Sequence, residues 1–346
     1  MIELPDTSGP EATDEATGDA TGDGPLLFGR VLDGRGGGRA ISWEHAQGWV
    51  PAHPGEVLWL HLRRQTEGVA EWLEGELGIP EPTAELLTGD ATRPRAFREG
   101  ETLVATLRGI NFNPGAEPED MLSMQLWSDG NRVITLRRMP LQTPRDVVAE
   151  IDAGKGAKDA GALVTNLTEQ MIHRMNRSIV DMNAEIDRLE DLDFDHEDTG
   201  PLVTRIASIR RNCLALQRHM GPQHVALEAI SRDAPKWFES HDRREIAESI
   251  ALLRRFLDDI DVSKESAVVL LDELRTRALS RSERTNYVLT IVAAIFLPLG
   301  FITGLLGINV GGIPGTHSGT AFWAVCGLCL AILGVQLFLF WRWRWL

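Results

Sequence analysis

Apolar residues along this 346-residue chain change their spacing twice. In residues 26–140 they come in short runs broken by Gly, Pro and Asp. Residues 57–62, 103–110, 121–127 and 132–136 have the β-branched, aromatic composition of strands. Asp129-Gly130-Asn131 between the last two marks a hairpin turn. Residues 68–77 and 82–87 read as helices between the first two strands. The expectation is an α+β domain over residues 25–142, preceded by an acidic tail at 1–24.

After Thr143 the spacing becomes helical. Val164, Leu167, Met171, Met175, Ile179, Met182, Ile186 and Leu189 recur at steps of three and four. A second pattern runs through Ile246, Ile250, Leu253, Leu257, Ile260, Ala267, Leu271, Leu274 and Ala278, with Lys264 as its one polar interruption. No Gly lies between Gly221 and Gly300 and no Pro between Pro235 and Pro298. The second helix can therefore run on from about His241 to Leu306, a length of ~100 Å at ~1.5 Å per residue. Residues 143–284 are thus expected to form a long-helix stalk or funnel. The acidic stretch 191–198 between the helices opens like an EF-hand loop, but His196 replaces the turn Gly and Leu202 the twelfth-position Glu. It reads as a solvated acidic helix tip or a weak cation-attracting surface, and not as a calcium loop.

The second change is the largest. From Thr285 to Trp341 there is no Asp, Glu, Lys or Arg, a gap of 57 residues. Within it, residues 287–306 and 320–340 are each long enough to cross a hydrocarbon core of ~30 Å. Two transmembrane helices follow, 285–309 and 320–340, joined by an external loop at 310–319. Arg275, Arg277, Arg281 and Arg284 precede the first, and Arg342 and Arg344 follow the second. Both ends therefore face the cytoplasm, with Trp341, Trp343 and Trp345 in a basic-aromatic tail, 341–346, as an interfacial belt. Asn286, Leu289, Ala293, Leu297, Gly300 and Gly304 share one face of the first span. That face is either a helix-packing seam or, if several chains each contribute a helix, a pore wall. Pro298 is expected to kink the span.

Charge and candidate chemistry narrow the function. With 35 Lys+Arg against 50 Asp+Glu the net charge is −15, which excludes nucleic acid as a main partner. Seven of the acids lie in residues 1–24, which carry no base and no apolar signal segment and read as disordered. Three cysteines make no disulfide framework. Cys326 and Cys329 stand at i, i+3 in the second span, two thiols without the further ligands zinc needs, and read as packing or lipid-facing. Gly36-Gly37-Gly38 lacks the Lys-Ser/Thr of a P-loop, and no nucleophile–base set supports an enzyme or a cofactor.

One segment carries a resemblance. Gly307-Ile308-Asn309, followed by Val310-Gly311-Gly312-Ile313-Pro314, ends the first of two carboxyl-terminal spans. This is similar to the Gly-x-Asn signature of CorA-type divalent metal transporters, and the residues after it look like the zinc transport protein ZntB branch. Arg108-Gly109-Ile110-Asn111-Phe112-Asn113-Pro114 and the residues on to Met121, with Phe296-Leu297-Pro298-Leu299, resemble the same branch. The likeness spans residues 26–346. It implies a homopentamer in the inner membrane, with five first spans around an axis and a cytoplasmic funnel. Gly307, Ile308 and Asn309 would form the selectivity filter, the face from Asn286 to Gly304 the pore wall, and Leu289 and Leu297 its constrictions. It further implies zinc uptake coupled to protons, with divalent ions and membrane lipids as partners. Neither span holds a carboxylate, and loop 310–319 has none of the acids usual in magnesium members. His317, Tyr287 or a funnel site remain open as proton carrier, and His317 as a metal ligand. A magnesium, cobalt or nickel channel of the same fold is the alternative; a membrane-anchored signalling or scaffold protein is a second.

Overall fold

The structure, a computed structural model, describes residues 24–117, 119–192, 194, 199–308 and 319–342. The chain falls into two compact units, one ending at Leu271 and one beginning at Asp272.

The first unit is built on a sheet of β1 (Leu26–Leu32), β2 (Gly38–Ala40), β3 (Val57–Arg63), β4 (Arg95–Glu99), β5 (Thr102–Gly109), β6 (Leu122–Ser128) and β7 (Arg132–Arg137). The spatial order is β2-β1-β3-β7-β6-β5-β4. Every neighbouring pair is antiparallel except β3 and β7. The first six residues of β3 are all buried, so its side chains meet cover on both faces. The hairpin between β6 and β7 turns at Asp129, whose Oδ1 accepts the backbone N–H groups of Asn131 and Arg132.

Helices α1 (Trp43–Ala46), α2 (Val69–Leu77) and α3 (Glu81–Thr88) flank the sheet. Val69, Leu73, Ala84 and Leu87 share a core with Leu58, Leu60, Leu62, Val104, Ile134 and Leu136. After α4 (Gln142–Asp152) come three long helices: α5 (Ala160–Glu190), α6 (Thr199–Arg232) and α7 (Ser240–Leu306). Asp159 caps α5 by accepting the Ala162 N–H at 2.8 Å. Within the region expected to be long-helical, residues 199–232 carry no assigned apolar pattern; they form a 34-residue helix holding Pro222 within it. The α6 residue Gln223 reaches the sheet and accepts the Arg108 backbone N–H.

The seam of α7 also differs from expectation. Its buried positions are Asp242, Ile246, Ser249, Leu253, Phe256, Ile260, Ser263, Ala267, Leu270 and Leu274. They alternate steps of four and three without a break, which is the heptad period of a packed long helix. Ile250, Leu257 and Leu271 are half-buried at its edge and Ala278 is exposed. Lys264 lies beside the seam, bound to Asp261 and Gln217, so it interrupts nothing. The polar seam positions are filled locally: Ser263 bonds Asn183 of α5. Asp242 accepts the Glu239 N–H at 2.7 Å and packs on Gly161. A Cβ on Gly161 would stand 2.1 Å from the Asp242 carboxylate, so only glycine fits there.

Candidate functional site

The second unit begins within α7. That helix carries Arg275, Arg277, Arg281 and Arg284 before its charge-free end, and Arg277 bonds Glu273 one turn earlier. The following helix, α8 (Ala321–Arg342), has 22 residues, ~33 Å at the α-helical rise. Both are long and apolar enough to cross a membrane. Inside hydrocarbon every polar group needs an internal partner. Thr290 Oγ1 donates to the Asn286 carbonyl at 2.8 Å and Thr303 Oγ1 to the Leu299 carbonyl at 2.9 Å.

The two spans identify which side of α7 is in contact with α8. Ile291, Ala294, Ile295, Leu299 and Ile302 of α7 are half-buried. Gln336 of α8 donates Nε2 to the Ala294 carbonyl at 3.0 Å, which places α8 on that side. At about 100° per residue, the direction from Asn286 through Gly304 lies about 170° from this half-buried side. All six residues of the expected pore-lining set are exposed in the single chain, with Leu289 at 61% and Leu297 at 71%. Among the described residues, nothing lies within 4 Å of where a Cβ would stand on Gly300 or Gly304. The face is therefore no seam between the chain's own two spans.

The helix ends at Leu306. The Gly307 N–H donates to the Thr303 carbonyl at 3.0 Å and to the Gly304 carbonyl at 3.1 Å. A Cβ on residue 307 would stand 3.0 Å from the Thr303 oxygen, which gives a steric reason for glycine at that position. Ile308 follows, 48% exposed. Asn309, His317, Trp343, Arg344 and Trp345 lie outside the described residues, as do the acidic tail through Asp23 and most of the 191–198 stretch. Cys326 and Cys329 are half-buried on the side of α8 that also holds Gln336, unpaired with each other. Among the described residues no group of three or more His, Cys, Asp or Glu side chains is placed to hold a metal.

Two titratable groups of the first unit are shifted. Burial pushes the Asp242 carboxyl up to about 6, with Asp159 and Glu245 acting in the same sense and His241 against it. Burial lowers His219 to about 4, helped by Arg108 and Arg218, so its imidazole is uncharged at neutral pH. The sequence reading singled out neither Asp242 nor Gln336. A polar residue at a heptad seam position was the available signal for the first, and a lone amide in an apolar span for the second.

Comparison with known proteins gives consistent results. The model of the family described as CorA-like Mg2+ transporter protein matches residues 54–342. The divalent cation transporter CmaX of Pseudomonas aeruginosa is 37% identical over 322 residues, 93% of this chain and 97% of its own length. The zinc transport protein ZntB of Pectobacterium atrosepticum is 30% identical over 315 residues, covering 91% of this chain and 94% of its own. The solved structure of full-length CmaX aligns with a TM-score of 0.82 over 93% of this chain and 98% of that one. The complete CorA magnesium transporter from Methanocaldococcus jannaschii aligns at 0.76 over 92% of this chain and 99% of that one; at 15% identity this is a likeness of fold.

Proposed function

The chain belongs to the CorA-like Mg2+ transporter family, and from that membership we propose that it carries zinc across the bacterial inner membrane through a homopentameric pore lined by α7. Membership in a family of transporters leaves the scaffold reading without support. The observation that carries the proposal is the face from Asn286 to Gly304. It points away from α8, narrows to glycines toward its outer end and meets no partner in its own chain. Five such faces around an axis would make an apolar wall.

That wall suits an ion that keeps much of its water shell, because stripping a divalent cation in an apolar medium costs tens of kcal/mol. Asn309, one residue past Ile308, offers carboxamide oxygens to that shell without a fixed charge, so entry is favoured and exit is not blocked. Leu289 and Leu297 are the constrictions. The net charge of −15 per chain enriches divalent cations at the cytoplasmic side within a Debye length of ~8 Å. Both termini lie in the cytoplasm by the placement of the arginines, and uptake runs with protons. With no carboxylate in either span, the proton must use another group, and His317 is the titratable side chain of the loop.

A second reading has its own support. The matching family model is described by magnesium, and the relative at 37% identity is named for divalent cations at large. Counterflow of Zn2+, Mg2+, Co2+ and Ni2+ in proteoliposomes separates the two. Preferred exchange of Zn2+ upholds the zinc assignment; preferred exchange of Mg2+ with Zn2+ inert replaces it.

A further inference from the structure

Pro298 lies inside α7, directly after Leu297. Having no N–H, it cannot donate to the carbonyl four residues earlier. That carbonyl belongs to Ala294. The Gln336 amide of α8 reaches the same oxygen, Nε2 to O at 3.0 Å. Both residues are half-buried against each other. The other end of the amide, Oε1, is buried and accepts no hydrogen bond among the described residues. Among the described residues, the hydrogen bond that orients the side chain is the one to Ala294. Reversing the amide would set two oxygens against each other, so the assignment of Nε2 as donor follows from the geometry.

In hydrocarbon no water can take the place of the missing helical donor, and a neighbouring helix must supply one. Gln336 does so. The bond also has a position in the pore. Ala294 is next to Ala293 and Pro298 next to Leu297, two members of the face opposite α8. The outer span thus bonds the inner span where its hydrogen-bond ladder lacks a donor, beside the proposed constriction at Leu297. We infer that Gln336 is a positioning residue of the pore. By capping the carbonyl that Pro298 leaves without its helical donor, it holds this stretch of α7 in one geometry and keeps Leu297 aimed at the axis. This rests on the reading of the 286–304 face as pore wall.

The test is a cycle of Gln336→Leu, Pro298→Ala and the double variant in the full chain, reconstituted in liposomes. Pro298→Ala returns an N–H to the Ala294 carbonyl, so the glutamine then has nothing to cap. In the parent background Gln336→Leu is expected to change zinc flux by about tenfold and to lower the melting temperature in detergent by a few degrees. In the Pro298→Ala background the same change is expected to alter flux by less than about twofold. Equal effects of Gln336→Leu in both backgrounds mean simple packing and overturn the inference. So does a melting-temperature coupling with flux and leak unmoved by Gln336→Leu. If the unaltered chain moves no zinc, the pore reading is what fails, and the melting-temperature cycle still decides whether Gln336 caps the carbonyl.

Discussion

Leu297→Ser tests the assignment of the helix face, with Ile295→Ser as its counterpart on the other side. Leu297 is 71% exposed in the single chain. Its contacts within that chain amount to about a third of a full leucine burial, under about 1 kcal/mol of the ~2–3 kcal/mol such a burial is worth. The substitution should therefore leave the two-span unit standing. If the face lines a pore, the substitution places hydroxyls where an apolar ring would meet the ion. Relief of only about 0.3 kcal/mol per subunit, summed over the five subunits of the proposed pentamer, is about 1.5 kcal/mol, or roughly tenfold in rate. Ile295 is half-buried on the α8 side, where a hydroxyl loosens the contact between the spans without touching the proposed pore face. Leak is read with a membrane-impermeant metal indicator trapped in liposomes, and stability by thermal unfolding in detergent. Leu297→Ser should raise leak about tenfold with little change in melting temperature; Ile295→Ser should lower the melting temperature without leak. The reverse outcome would show that the face is turned away from the axis.

Other outcomes follow from single residues. Asn309→Ala should abolish or strongly reduce zinc flux while the oligomer still forms by size-exclusion chromatography; near-normal flux removes Asn309 from the filter. Gly307→Ala brings a Cβ to 3.0 Å from the Thr303 carbonyl and should reduce flux through a shift of the helix end, with thermal stability little changed. Gly161→Ala, with its Cβ 2.1 Å from Asp242, should destabilise the first unit by at least about 2 kcal/mol in denaturant unfolding. Asp242 titrates near 6 in the folded chain, above its unfolded value near 4, so its contribution to stability is full below about pH 4 and is lost as pH rises to about 6. Stability is flat above that window. Asp242→Asn should remove this slope. His219, depressed to about 4, acts in the opposite sense, so the difference between variant and parent melts from pH 4 to 8 is the quantity to measure.

The sequence revealed elements wherever side-chain pattern alone decides structure. Strands β3, β5, β6 and β7 are apolar and β-rich, and each lies within a residue or two of its expected bounds. Strand β1 was hidden by Gly29 and Arg30 in its middle, and the edge strand β4 by its charges, Arg95, Arg98 and Glu99. Helix α6 showed no clear apolar period and holds Gly200, Pro201, Gly221 and Pro222, residues that disfavour helix in general, although the first two stand in its opening turn, where Pro is tolerated. On α7 the apolar residues next to the seam, Ile250, Leu257 and Leu271, drew the reading off Ser249, Phe256 and Leu270. A small polar residue can occupy a seam if a neighbour bonds it, and only the fold shows that Asn183 stands beside Ser263. The six positions of the candidate face were legible from spacing. Their relation to α8 was not, because it depends on a tertiary contact between Gln336 and a carbonyl freed by Pro298.

Radiolabelled zinc uptake into proteoliposomes, with and without an imposed pH gradient, decides whether the chain carries zinc together with protons. Protein-dependent uptake should rise when protons are driven in the same direction and fall to the level of empty liposomes in Asn309→Ala. Uptake no greater than in empty liposomes, under either condition and with oligomeric protein present, would contradict zinc transport by this chain.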